Sequence, residues 1–179
     1  MTSSVDPTSD LIMIAYDGSE NADRAIDHAA RYLAGRRAAV VTAWETGTHQ
    51  SARLSSAAGM QPLFTPGVDT QVDDLLREEA HSIAEAGVAR ARSGGLDAIP
   101  HLVEVTGTVW GALVEAADDL DVDVLVTGTR GASGIRALLH SSVAEAVLRH
   151  CSRPVLVVPA RCAERRRPVD AGADGSLTP

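Results

Sequence analysis

Apolar residues in this chain fall into short, nearly unbroken runs, separated by stretches in which they recur every three to four positions. Four runs stand out: Leu11-Ile12-Met13-Ile14-Ala15, Ala38 to Trp44, Val122 to Thr127 with only Asp123 charged, and Val155-Leu156-Val157-Val158. Such runs, unlike strict alternation, are buried on both faces, which is the pattern of strands inside a parallel sheet. Ala98 to Val105 predicts a fifth strand. Pro100 has no N–H to give to a ladder, so this strand belongs at a sheet edge or has the proline near its start.

The intervening stretches have helical period. Ala22, Ala25, Ile26, Ala29 and Leu33 line one face, with Ser19 placed to cap the start and Gly35 to stop the end. Residues 70–93 put Val72, Leu76, Ala80, Ile83 and Gly87 on one stripe that ends at Gly94-Gly95. A third stripe holds Val109, Ala112, Leu113, Ala116, Ala117 and Leu120; a fourth holds Val143, Ala146, Val147 and His150. Strand and helix alternate throughout, which predicts one α/β domain over residues 10–160: a doubly wound, five-stranded parallel sheet with helices on both faces. Outside this pattern, residues 1–9 predict a flexible start and residues 45–69, rich in Gly, Pro, Ser, Thr and Gln, a long mobile loop. Residues 161–179 carry Arg161, Arg165, Arg166 and Arg167 and then small polar residues, and predict a disordered tail.

Composition narrows the chemistry. With 45% hydrophobic residues but only 3% aromatic, the core must be built from Val, Leu, Ile and Ala, as suits a sheet covered by Ala-rich helices. A net charge of −8 and a pI near 5.1 oppose bulk attraction to nucleic acid or to an anionic membrane, so any phosphate site has to be local. No stretch approaches the roughly 20 apolar residues that span a bilayer, and Met1 to Pro7 lacks a signal-peptide pattern; a cytoplasmic address is the expectation. Cys151 and Cys162 read as incidental thiols, and the six histidines have no metal-ligand spacing.

The chemistry concentrates after the fourth strand, in Thr127-Gly128-Thr129-Arg130-Gly131-Ala132-Ser133-Gly134, a loop that leads to Ser141-Ser142-Val143-Ala144-Glu145. Glycines let a backbone turn and bring its N–H groups close to an anion. Ser142 with Glu145 three residues on is a capping box, so a helix start at Val143 adds unpaired N–H groups and a positive dipole end. Asp17, in Tyr16-Asp17-Gly18-Ser19, ends the first strand. It either accepts hydrogen bonds from a ligand's hydroxyl or amine groups or closes an Asx turn at the first helix. If the first and fourth strands are neighbours with crossovers on opposite faces, Asp17 and the glycine loop share the switch-point crevice of an open α/β sheet. Arg130 is placed to neutralise phosphate or to form a surface pair, and Trp110 reads as packing.

Taken together, Ile14-Ala15-Tyr16-Asp17-Gly18-Ser19, the stretch from Val124 to Pro159, and its Ser152-Arg153-Pro154-Val155-Leu156-Val157-Val158-Pro159 ending resemble the universal stress protein family. Nucleotide-binding members carry Gly-x2-Gly-x9-Gly-[Ser/Thr] after the fourth strand; here Gly128, Gly131 and Ser142 match, and Ser141 stands where the third glycine would be. The resemblance implies strand order 3-2-1-4-5, a homodimer, and, in a subset of members, ATP, with or without Mg2+, as ligand; the exposed apolar edge that Val155 to Val158 would leave puts the dimer joint at the fifth strand. The resemblance also implies adenosine near Ala15, Asp17 and Trp44, and ribose and phosphates near Thr127, Gly128, Gly131, Ser141, Ser142 and Val143.

Walker-type Gly-x4-Gly-Lys, His-Glu-x-x-His and Gly-x-Ser-x-Gly motifs do not occur, so a sensing or holding role is the expectation ahead of an enzyme, slow ATP hydrolysis aside. Retained Gly128, Gly131 and Ser142 point to an ATP-binding module of the stress response. Ser141 points to the alternative, a dimeric interaction protein of the same fold that binds no nucleotide.

Overall fold

The computed structural model describes residues 10–47, 69–129 and 143–160. Nine elements alternate: β1 (Leu11–Ala15), α1 (Glu20–Tyr32), β2 (Arg37–Trp44), α2 (Asp69–Ser93), β3 (Asp97–Glu104), α3 (Val109–Asp119), β4 (Val124–Gly128), α4 (Val143–His150) and β5 (Val155–Val158). The strands form one sheet in the order β3-β2-β1-β4-β5, every pairing parallel. All five expected strands are present. Three begin one or two residues from where the apolar runs place them: Arg37, Asp97 and Val124. Pro100 lies on β3, an edge strand, opposite Val40.

The two helix layers bury different sets of strand residues, as the alternation of side chains along a strand requires. Ile12, Ile14, Val40 and Val126 pack under α1 and α2; Met13, Val41 and Leu125 pack under α3 and α4. The core is aliphatic, and its interior strand residues have no exposed surface at Ile12, Met13, Ile14 and Leu125. Helix α1 starts where Ser19 caps it by accepting from the Ala22 N–H at 3.2 Å, and its buried face is Ala22, Ala25, Ile26, Ala29 and Ala30. Thr108 caps α3 in the same way, accepting from Gly111.

Helix α2 is long for its sheet. At about 1.5 Å per residue its 25 residues span about 37 Å, well over the length of an eight-residue strand. Its C-terminal half carries the packing, through Ala80, Ala84, Val88 and Ala91. Its N-terminal turns stand proud of the sheet, so that Val72, expected on the buried stripe, is exposed. Gly87 has a specific cause: a Cβ there would lie 2.7 Å from the Tyr16 ring and 2.9 Å from Val40.

Helix α4 departs from the sequence pattern. Ala144 and Val147 are its buried residues, whereas Val143 and His150 of the expected stripe are exposed. A two-turn helix with apolar residues on several sides does not define its own inward face, and the sheet edge it covers decides. The flexible start, the tail and the loop lie outside the described residues, except that β2 ends at Trp44, residues 45–47 follow it, and Asp69 already belongs to α2.

Candidate functional site

The C-terminal ends of β1, β2 and β4 are neighbours in the sheet, so Ala15, Asp17, Trp44, Thr127 and Gly128 come together along one rim. The condition posed by the sequence is met. Strands β1 and β4 pair directly, from Ile12 opposite Val124 to Ile14 opposite Val126, and the helices that follow them lie on opposite faces. Arg130, Gly131, Ser141 and Ser142 lie outside the described residues; Val143 opens α4 and is exposed.

The turn after β1 is built by side-chain bonds to its own backbone. Asp17 Oδ1 accepts from the Ser19 N–H at 3.1 Å, closing an Asx turn, while Gly18 takes a φ of +76°. The Asx-turn role open to Asp17 in the sequence is thus present, and the side chain is exposed at the rim. Tyr16, next to it, points inward and is buried. Its hydroxyl donates to Asp23 Oδ1 at 2.8 Å, Arg90 of α2 lies 3.6 Å from Asp23, and the same guanidinium grips Asp27 at 2.7 Å and 2.8 Å. Burial, aided by this bond to a carboxylate, pushes the Tyr16 phenol up to about 12. The bond to Asp27, more than any other influence, raises the Arg90 guanidinium further. This cluster ties α1 to α2 directly beneath the Asp17 turn.

Gly128 has a packing reason to be glycine. A Cβ at this position would lie 2.7 Å from the Asn21 carbonyl oxygen and 3.0 Å from its carbon, so the first turn of α1 sits against the end of β4. Thr127 is buried and its hydroxyl donates to the Gly128 carbonyl at 3.2 Å. Beyond it, the Thr129 N–H donates to the Val158 carbonyl, and Thr129 Oγ1 accepts from the Ala160 N–H at 3.0 Å. The exits of β4 and β5 are thus stitched together. Arg24 of α1 joins them through a bond from Nη1 to the Ala160 carbonyl. Trp44 is half-buried and its carbonyl accepts from the Val105 N–H at 2.8 Å.

Three features escaped the sequence. Thr42, two residues before Trp44, is buried and its hydroxyl has no partner among the described residues. The Tyr16, Asp23, Arg90 cluster joins residues far apart in the chain. Arg24 carried no signal in the sequence beyond its position one turn after Asn21. Trp110 does pack, as expected, but also stacks on His150 with ring centroids 4.6 Å apart. Surface hollows lie between Trp110 and α4 and between α2 and Leu102. No group of three or more metal-ligating side chains occurs among the described residues, nor does any described helix have the length and apolarity to cross a membrane.

Comparison with known proteins places this geometry. The chain is 26% identical to a universal stress protein of Bacillus subtilis, YxiE, over 147 residues, 82% of this chain and 97% of that one. It spans about half the length of two other curated relatives. Among solved structures it is similar to a universal stress protein from Burkholderia pseudomallei (TM-score 0.60, 28% identity, 87% of this chain and 99% of that one). It is also similar to a universal stress protein solved in complex with cAMP (TM-score 0.58, 26% identity, 83% and 95%). The model of the universal stress protein family matches residues 9–159, and the chain belongs to that family.

Proposed function

We propose that this chain is a cytoplasmic adenine-nucleotide-binding module that senses or holds ATP or a close relative. The adenosine end would lie at Asp17, Ala15 and Trp44, and the phosphates about Thr127, Gly128, Gly131, Ser141, Ser142 and Val143. The observation that carries the reading is the adjacency of β1 and β4 with crossovers on opposite faces, which sets a carboxylate turn and the start of a glycine loop on one crevice. A relative in complex with cAMP supports the ligand class.

The residues present fit such a ligand. Asp17 is an exposed acceptor at the rim, and α4 is long enough to offer a positive N-terminal end at Val143. A buried hydroxyl without a partner costs about 1–3 kcal/mol, so Thr42 gains from a polar neighbour at this end of β2. The bound nucleotide would supply the signal; the protein's part is to orient it and to respond. Mass spectrometry of small molecules released from the purified chain tests the reading. An adenine nucleotide near one per chain is expected; none, even after incubation with millimolar ATP, contradicts it.

A homodimer through β5 belongs to the same proposal. Val155, Leu156 and Val157 on this edge strand are only half-buried, and Leu148 of the neighbouring α4 is 59% exposed. Light scattering should give twice the chain mass, and Leu148→Arg should shift it toward the monomer.

A further inference from the structure

We infer that Arg24 is the residue by which the site distinguishes a long phosphate chain from a short one, an inference that rests on the nucleotide reading above. The net charge of −8 repels a nucleotide's phosphates, and the chain contains no lysine, so any side-chain cation that adds to the loop's backbone N–H groups is a guanidinium; Arg130 of the loop lies outside the described residues. Arg24 is the arginine found where β4 and β5 leave the sheet, among the described residues. It sits one turn after Asn21, whose carbonyl abuts Gly128, and it bonds the carbonyl of Ala160, whose own N–H is held by Thr129.

Its fork is set in place with capacity to spare. Nη1 donates to Asn21 Oδ1 at 3.1 Å and to Ala160, and Nη2 donates to Glu20 Oε2 at 3.2 Å. A guanidinium has five N–H groups, which leaves Nε–H and one Nη2–H unpartnered among the described residues. The side chain is 37% exposed, so it is neither sealed in the core nor loose in solvent. Glu20 holds it weakly, being 88% exposed at its own end. A phosphate reaching past Gly128 and Thr129 would meet a cation already oriented by α1, at no cost in ordering a free side chain. An adenosine or a monophosphate, ending near the glycine loop, would make little or no use of it.

Calorimetric titration of the full chain with ATP, AMP and adenosine, in wild type, Arg24→Gln and Arg24→Lys, tests this. Arg24→Gln should weaken ATP by about tenfold or more, AMP less, and adenosine within about twofold. Arg24→Lys should fall between, because it keeps the charge and loses the planar fork. The dependence of ATP binding on salt should flatten in Arg24→Gln. Equal losses for all three ligands would make Arg24 a structural latch and overturn the inference, as would unchanged ATP affinity in a wild type that binds it. A wild type that binds neither ATP nor adenosine overturns the nucleotide reading and this inference together. Melting curves establish that each variant is folded; if Arg24→Gln is not, Arg24→Lys carries the comparison.

Discussion

The two ends of the sheet are polar in different ways. At the N-terminal ends of the strands, side chains from different elements pair with one another: Arg36 with Asp10 and Asp123, and Arg153 with Asp118 and Asp121. At the C-terminal ends, side chains hold the backbone of the turns that face the crevice: Asp17 holds the Ser19 N–H, Asp73 the Gly47 N–H, Thr129 the Ala160 N–H, and Arg24 the Ala160 carbonyl. The ion pairs join the segments that lead into the strands, and Arg153 also reaches Asp118 of α3. Side-chain bonds to backbone shape turns, and turns are what a ligand at the switch point meets. Changes at the first end should therefore move stability alone, and changes at the second should move ligand binding more than stability.

Gly128→Ala tests that division most severely, because Gly128 belongs to both packing and site. Its new Cβ would press on the Asn21 backbone, which cannot rotate away as a flexible side chain would. A loss of about 2–3 kcal/mol in chemical denaturation is expected, and weaker nucleotide binding with it. Stability unchanged would mean that α1 moves freely against β4.

Tyr16→Phe removes the hydrogen bond to Asp23 and should cost about 1–1.5 kcal/mol near neutral pH. The pH dependence has a definite sign. The folded-state value of about 12 lies above the ordinary 10.0, so the folded chain holds this proton more tightly than the unfolded one. Wild type should lose stability as pH rises from 10 towards 12, by up to about 2–3 kcal/mol, and the variant should lack that component. Parallel alkaline profiles would refute the account of the cluster.

Asp17→Ala should cost about 1 kcal/mol, since its turn bond to the Ser19 N–H is solvent-exposed, yet should weaken adenosine and ATP alike. The opposite outcome, a stability loss with binding intact, would leave Asp17 as a turn residue only.

Arg153→Ala, at the other end, should lower the melting temperature slightly and leave nucleotide affinity untouched. Ser152 first, and Arg153 next, hold the Asp118 carboxyl below its usual value of 3.8. Its contribution is present above that value and is lost as pH falls through the lower folded value, so the difference between wild type and variant should shrink in acid. A difference that persists unchanged there would assign the effect to packing.

Much of the fold could be read from the chain because local and global signals agree. Nearly unbroken apolar runs marked four strands, Ala98 to Val105 with its proline marked the fifth, and Ser19 marked the start of α1. The strand order came through the family resemblance, which carries information that periodicity does not. What could not be read depends on contacts distant in sequence. The α4 face is chosen by the sheet it covers. Arg24 meets Ala160 across 136 residues, and Arg90 meets Asp27 across 63. Gly128 illustrates the harder case: its glycine character drew attention as a place for phosphate, and the structure supplies a packing reason for the same residue. Composition at one position can serve two causes, and only the neighbours separate them.

The most direct test of the central claim is calorimetric titration of wild type with ATP, beside Gly131→Val and Ser141→Gly. Saturable binding near one nucleotide per chain is predicted for wild type. It should be lost in Gly131→Val with the fold retained, and equal or tighter in Ser141→Gly. Absence of binding in wild type with recovery in Ser141→Gly would make this chain the non-binding, dimeric kind of family member, and absence in both would reduce the glycine loop to a turn.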